Sequence, residues 1–219
     1  MNSACGSCAL FSAHFLAPLA STASIGMCAK PSALLLTVLA ALLSCSGAFL
    51  DNNPALGDYQ DDSKCLDWKE PWYVIYRNYE LDPLYGDSTH CANATAVTID
   101  PDEPAFWTKE QGKTTKFVKD TLLSSPGYTT KNLVHVESAR PGKPPSKDPE
   151  VDFYMTAVFV SCNSCKVFRH HNIDGGAGCT LWKPESKINE RDECCEFIYD
   201  LLCGTSPKFH ISKNCLQSS

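Results

Sequence analysis

The sequence predicts a mainly β protein, a meander of antiparallel strands closed into a barrel with one C-terminal helix packed on its wall. Short segments rich in aromatic and β-branched residues recur along the chain, and turn residues separate them. Only one segment, near the C-terminus, has the hydrophobic period of an amphipathic helix. No internal repeat is visible, which argues against a solenoid or a propeller.

The composition excludes several classes of protein. The chain has 219 residues, and its 25 acidic residues outnumber its 19 basic ones, for a formal net charge of −6. Because it has no positive surplus to neutralise phosphates, we expect no nucleic-acid partner. A hydrophobic fraction of 43% without a glycine period excludes a disordered or collagen-like chain. The length suits one good core or two small ones.

The first 48 residues have the features of a secretory signal peptide. Lys30 is the first charged residue, the uncharged run Ser32–Leu43 follows it, and small residues lead to a predicted cleavage after Ala48. Met27 is an alternative start of the chain. A membrane anchor is the competing interpretation, but a span needs about 18–20 apolar residues. We therefore expect a secreted, extracellular protein that binds no membrane.

The remaining residues, 49–219, are predicted to form a single domain. Phe49–Lys64 is polar and acidic and has room for one short helix. Trp72–Glu80 and Cys91–Ile99 are rich in aromatic or β-branched residues and predict two strands. Phe106–Leu123 is more weakly patterned, and we expect strands there too.

The second half of this domain has clearer strand signals. Lys131–Glu137 alternates between polar and apolar residues, and Val151–Val160 is the strongest strand of the chain. Between them, Arg140–Pro149 is predicted to be a loop. Cys165–Arg169 follows a tight turn and predicts a hairpin, and Cys179–Lys183 predicts the next strand.

The C-terminal helix is predicted over Asp192–Gly204. The segment begins with acidic residues and ends in glycine, as helices commonly do. Its apolar residues have helical spacing, which predicts that one stripe packs on the sheet. The predicted stripe is Cys194, Phe197, Ile198, Leu201 and Leu202.

Nine cysteines follow residue 48, and an oxidising compartment would pair eight of them in four disulfides. Cys162-x-x-Cys165 beside His170 and His171 also suggests zinc, but disulfides are favoured in a secreted chain. Asn93-Ala-Thr95 is the one N-glycosylation sequon and predicts a glycan on Asn93, although such triplets also arise by chance.

No enzyme motif is present: Gly-x-Ser-x-Gly, His-Glu-x-x-His and a phosphate-binding glycine loop are all missing. We therefore expect no enzyme, no cofactor and no metal. The pairs Asp61-Asp62 and His170-His171 are interpreted as surface groups. The strand aromatics fill a core or line a cavity, since a barrel of roughly eight strands has room for one small ligand. Aromatic walls with a few carboxylates suit a small cation.

The residues that carry a family resemblance span nearly all of the domain. They are Trp72–Glu80, Cys165–Phe168, Cys179–Trp182 and the frame Cys194-Cys195-x-Phe197…Cys203-Gly204…Cys215. They resemble the tick salivary lipocalins of the histamine-binding group. The resemblance implies an eight-stranded antiparallel up-and-down lipocalin barrel with a C-terminal helix. It also implies secretion in tick saliva and capture of host mediators such as histamine, serotonin or leukotrienes, or of complement proteins.

The resemblance also implies a disulfide pattern. It pairs Cys65 with Cys194, Cys91 with Cys215 and Cys165 with Cys195. Cys179–Cys203 is the inferred fourth bridge, which leaves Cys162 unpaired. Neighbouring cysteines of one helix point about 100° apart, so Cys194 and Cys195 can reach two strands.

The ligand-binding residues are likewise implied by the resemblance. Tyr79, Asp82 and Tyr85 resemble the family's aromatic and acidic patch. Glu137 and Tyr154 are additions from facing strands, and Trp182 belongs to a matching motif. For each, a surface or core role is the alternative, and a register slip of one residue would reverse which side chains face inward.

The chain departs from the amine-binding members at two positions. Where they resemble Cys-Asp-(Val/Ile/Leu)…Glu-(Leu/Val)-Trp, this chain has Lys166 and Thr180. An ammonium ligand near Lys166 would lose its ion pair and meet a like charge, which argues against an amine site there.

The favoured function is a monomer that sequesters a biogenic amine, histamine or serotonin. One alternative is binding of complement or another immune protein through barrel-mouth loops. The other is a leukotriene or fatty-acid carrier, in which Lys166 or Arg77 would face a carboxylate.

Overall fold

A computed structural model describes residues 49–66, 69–82, 91–98, 104–110, 113–140 and 150–210. The predicted signal peptide, Tyr85, Cys215 and residues 141–149 of the predicted loop lie outside these ranges. Among the described residues, no helix is long and apolar enough to cross a membrane.

Eight antiparallel strands close into a barrel, and a ninth short strand extends one of them. The strands are β1 Trp72–Arg77, β2 Asn93–Thr98, β3 Ala105–Glu110, β4 Lys113–Leu123, β5 Leu133–Ser138, β6 Asp152–Ser161, β7 Cys165–His170, β8 Gly178–Pro184 and β9 Phe209–His210. Each strand from β2 to β8 pairs with its neighbour in sequence, and β1 pairs with both β2 and β8. The predicted eight-stranded up-and-down barrel is confirmed.

Strand β1 closes the barrel because it is paired on both sides. Trp72 lies opposite Ala94 of β2 and Pro184 of β8. Farther along β1, Tyr76 and Arg77 pair with the two residues of β9. Pairing on both sides leaves the closing strand without an unprotected edge.

Within the described ranges, two α-helices accompany the barrel: α1 over Gly57–Gln60 and α2 over Glu193–Cys203. Short 3₁₀ helices lie at Pro54–Leu56, Asp62–Cys65, Asp174–Gly176 and Glu185–Lys187. The Asp192 carboxylate accepts a hydrogen bond from the Cys195 backbone N–H at 3.0 Å and caps the start of α2. Gly204 follows the last turn with a φ of 92°, a conformation that favours glycine.

The packed face of α2 differs from the predicted stripe. Cys195, Ile198 and Tyr199 are buried, whereas Phe197 and Leu201 are 47% and 42% exposed. The Cys165–Cys195 disulfide sets the rotation of the helix, together with the edge-on contact of the Tyr199 and Tyr76 rings, whose centroids lie 4.7 Å apart. Contacts from the barrel therefore select a face that is rotated from the one that period alone predicts.

The disulfides confirm two predicted pairs and correct a third. Cys165–Cys195 and Cys179–Cys203 are both formed. The predicted Cys65–Cys194 pair is wrong, because Cys65 is bonded to Cys162 with their Cα atoms 4.9 Å apart. Cys162 is therefore not the unpaired cysteine. Because the sulfurs of Cys162 and Cys165 are both in disulfides, they cannot serve as zinc ligands.

The physical reason for this correction is the position of the 3₁₀ helix Asp62–Cys65. It lies against the β6–β7 end of the barrel, where Lys166 donates a hydrogen bond to the Cys65 carbonyl at 3.2 Å. Cys91 and Cys194 are each disulfide-bonded as well. The predicted Cys91–Cys215 pair stays a prediction, since Cys215 is outside the described residues.

Candidate functional site

The barrel encloses a cavity of about 50 Å³. A water molecule needs roughly 10–15 Å³ of such space, so the cavity has room for a few waters or a compact small molecule. Alternate inward residues of the strands line it, because side chains along a strand alternate between its two faces. The aromatic lining is Trp72, Phe106, Phe153, Phe168 and Trp182. The polar lining is Asp62, Asp82, Thr108, Asp120, Lys166, His170 and Thr180.

Most of the polar side chains gather at two ends of the cavity. Lys166 and His170 both face inward from β7, about 13 Å apart along the strand. We call the group around Asp82, which includes Arg77, Tyr79, His170 and Thr180, the Asp82 end. The group of Asp62, Trp72, Asp120 and Lys166 is the Lys166 end.

Arg77 and Tyr79 both contact the carboxylate at the Asp82 end. Arg77 Nη1 lies 3.3 Å from Asp82 Oδ2, and both side chains are almost fully buried. The Tyr79 hydroxyl donates a hydrogen bond to the same oxygen at 2.8 Å. Burial raises the pKa of Tyr79 well above its usual value, and the Asp82 charge raises it further. Tyr79 therefore keeps its proton and remains a donor to Asp82.

His170 completes the Asp82 end. Its Nε2 lies 2.9 Å from Thr180 Oγ1, which also accepts a hydrogen bond from the Trp182 indole N–H at 2.9 Å. The buried Nδ1 has no hydrogen-bond partner among the described residues. Burial lowers the pKa of His170 to about 4, although the nearby Asp82 charge opposes this shift. The ring is therefore neutral at pH 7.

The Lys166 end is built around a buried ammonium group. Lys166 Nζ lies 2.7 Å from Asp62 Oδ1, and the two side chains are 1% and 7% exposed. The same nitrogen donates to the Cys65 carbonyl at 3.2 Å and lies 5.2 Å from the centre of the Trp72 ring. This end of the cavity is therefore occupied by a cation of the chain itself.

Asp120 lies near this ion pair. Burial raises the pKa of its carboxyl well above the usual value, the Asp62 charge raises it further, and the Lys166 charge opposes both. Its carboxyl forms no ion pair within the part of the chain that the structure describes. The protonated, uncharged form of Asp120 is therefore favoured.

The structure brings three of the predicted ligand residues together. Asp82 and Trp182 line the cavity, and Tyr79 lies directly behind Asp82. Tyr85 lies outside the described residues.

Glu137 and Tyr154 are placed on the opposite face of their strands. Glu137 pairs with Lys119 at 3.4 Å, and Tyr154 is 41% exposed and stacks on His135. Their neighbours Val136, Phe153 and Met155 line the cavity instead. Since alternate residues face opposite sides, these two side chains point away from the cavity.

Three polar cavity residues were not predicted. Asp62 and His170 were interpreted as surface groups, but both are buried. Asp120 lies between the inward-facing Val118 and Leu122 of β4, so alternation could have indicated an inward carboxyl. No comparable signal exists for Asp62, because its position depends on how the segment before β1 folds.

Asn93 is buried at the start of β2, and its Nδ2 donates a hydrogen bond to the Cys91 carbonyl at 3.1 Å. A glycan on this nitrogen would disrupt that arrangement. Glycosylation of Asn93 stays a prediction, and its burial counts against it.

Comparison with known proteins found one matching family, described as the tick histamine-binding proteins, over residues 50–216. A male-specific histamine-binding salivary protein of Rhipicephalus appendiculatus is 27% identical over 176 residues, which cover 74% of this chain and 84% of that protein.

Two solved structures also resemble the chain. AM182 in complex with serotonin is 15% identical with a TM-score of 0.44, covering 74% of this chain and 93% of that one. Japanin from Rhipicephalus appendiculatus bound to cholesterol is 10% identical with a TM-score of 0.46, covering 69% and 97%.

Proposed function

The chain belongs to the tick histamine-binding protein family, and we propose that it sequesters a biogenic amine, histamine or serotonin, without chemical turnover. The observation that carries the proposal is the enclosed cavity, which combines aromatic walls with a buried carboxylate at the Asp82 end. Aromatic faces attract a desolvated cation, and a buried carboxylate compensates its charge.

The Asp82 end offers an ammonium group three kinds of contact. Asp82 supplies the negative charge, which the ligand would share with Arg77. The neutral His170 ring would contact the ligand from one side, and the nearby Phe153 ring would cover it. Because Arg77 already neutralises part of the charge, we expect selectivity to depend on these contacts together.

The volume of the cavity favours a compact ligand over a lipid. About 50 Å³ holds a few waters, which is nearer to the size of a small amine than to that of a fatty acid, for which the barrel would have to expand much more. The leukotriene or fatty-acid alternative is therefore less well supported. The protein-binding alternative rests on the predicted Arg140–Pro149 loop, and residues 141–149 of that loop lie outside the described residues, so no observation favours it.

We further propose that the chain acts as a secreted monomer. Three disulfides within the described residues suit an oxidising, extracellular compartment. The family resemblance supports tick saliva as that compartment.

Calorimetric titration of the folded domain with histamine, serotonin and a leukotriene tests the proposal. We expect an amine to bind and the leukotriene not to bind. Asp82→Asn should weaken amine binding by about tenfold or more, because a charge-assisted contact is lost. Tyr79→Phe should weaken it by a smaller factor.

Glu137→Gln is the matched control, since it removes a carboxylate from the outer face, and it should leave the affinity unchanged. Thermal unfolding of each variant shows whether it is folded. Failure of both amines to bind, or equal affinities for the wild type and a folded Asp82→Asn, would contradict the proposal.

A further inference from the structure

The surroundings of the Lys166 ammonium are those of a cation-binding site. A carboxylate oxygen lies at 2.7 Å, a backbone carbonyl accepts a hydrogen bond at 3.2 Å, and an indole ring centre lies 5.2 Å away. Carboxylates, carbonyls and aromatic faces are the groups with which proteins bind organic ammonium ions. The ammonium lies in the cavity wall rather than on the surface of the barrel.

These surroundings and the ammonium come from different parts of the chain. Asp62, Cys65 and Trp72 belong to the segment before β1 and to its first residue, whereas Lys166 belongs to β7. The Cys65–Cys162 disulfide, with a sequence separation of 97, holds the two parts together. The site can therefore keep its shape when the lysine side chain is shortened.

We propose that the Lys166 end is an organic-cation site that the chain fills with its own ammonium group. Burying a lone cation is strongly unfavourable, so the surrounding groups must compensate that charge. Lys166 thereby acts as a specificity-determining residue, because it excludes a second cationic ligand. The expectation of one ligand per chain, bound at the Asp82 end, rests on the proposed function. The proposal that Lys166 fills a cation site does not rest on it.

Chemical rescue of Lys166→Ala tests the proposal directly. The substitution removes the atoms of n-propylammonium and leaves Asp62 without its cation. Added n-propylammonium should replace the missing atoms and the missing cation, and it should raise the melting temperature of the variant. With the amine at tenfold excess over its dissociation constant, the expected rise is about 3–6 °C. The wild type should show no such rise.

Two controls separate charge recognition from filling of a hole. Propanol has the same size and no charge, and it should stabilise Lys166→Ala much less than the amine does. In Asp62→Asn/Lys166→Ala the carboxylate is also removed, and n-propylammonium should lose its advantage over propanol.

Equal stabilisation by both compounds, or none by either, would overturn the proposal. If Lys166→Ala does not refold alone, the same comparison is made on the yield of folded protein when it is refolded with each compound. Recovery with the amine alone supports the site, and any other result rejects it. Since no host mediator is used, failure of this test and failure of the proposed function are distinguishable.

Discussion

The two ends of the cavity contain the same chemistry in different architectures. At each end a basic side chain is paired with a buried carboxylate, Arg77 with Asp82 and Lys166 with Asp62. The first pair is local in the sequence and lies where β1 ends. The second joins the segment before β1 to β7 and has a disulfide beside it. A buried ion pair can therefore border the proposed ligand site at one end and fasten the chain at the other.

The titratable neighbours of the two pairs also differ. Asp120, near Lys166, has a raised pKa, whereas His170, near Asp82, has a lowered one. Burial is the main cause in both cases, because it disfavours the charged form of either group. Burial therefore favours the neutral form of a titratable group beside each ion pair, and the two groups change stability in opposite directions as pH changes.

The largest effect is expected from breaking the pair that fastens the chain. Lys166→Met should lower the free energy of unfolding by about 3–5 kcal/mol, because it leaves the Asp62 charge buried without its partner. Asp62→Asn/Lys166→Met should recover much of that loss, since it removes both charges. Denaturant unfolding at pH 7 with the disulfides intact measures the differences.

Lys187→Met is the matched control for this prediction. Lys187 pairs with Glu190 at 2.8 Å on the surface, where such pairs contribute roughly 0–1 kcal/mol. If Lys166→Met lowered the free energy of unfolding no more than Lys187→Met does, the Lys166–Asp62 pair would not fasten the chain as we describe.

A smaller effect is expected from pH at the Asp82 end. The unfolded chain binds a proton at His170 near pH 6.5, but the folded chain does so only near pH 4. Stability should therefore fall as pH decreases through this window, by about 3 kcal/mol from this residue. His170→Gln should remove that part of the slope. The free energy of unfolding is measured at pH 7 and pH 4. If the wild type and His170→Gln lost the same free energy between these pH values, the prediction would be wrong.

Asp120 should change stability with pH in the direction opposite to that of His170, which sharpens the comparison of the two ends. Its raised folded pKa means that the unfolded chain releases the proton first, so this residue lowers stability as pH rises above its unfolded pKa. Asp120→Asn should therefore be more stable relative to the wild type at pH 7 than at pH 4. A difference that is the same at both pH values would contradict the assignment.

The barrel could be predicted from sequence because its signals are local. Residue composition, alternation and turn residues identified the segments that form β1 to β8, although Phe106–Leu123 was not divided into β3 and β4 and β9 was not predicted. Capping residues identified α2 to within a residue at each end. The inward face was harder, since it depends on register. Glu137 was selected although Val136, one residue away, is the side chain that lines the cavity.

The Lys166 end shows where local signals stop. The cation at position 166 was recognised in the sequence as unfavourable for an amine, but its partner Asp62 was interpreted as surface charge. That partner, and the Cys65–Cys162 disulfide, depend on where a short 3₁₀ helix lies against the barrel. Hydrophobic period carries no information on that position.

The smallest effect is expected from two neighbouring aromatic residues of β6. Phe153 lines the cavity, whereas Tyr154 is 41% exposed on the outer face. Phe153→Leu should weaken amine binding by about threefold to tenfold, because a ring face next to the ligand is lost. Tyr154→Leu should change the affinity by less than about twofold, within the scatter expected for a substitution outside the site. Calorimetric titration of both variants decides the matter, and equal losses would mean that the ligand does not occupy the barrel interior.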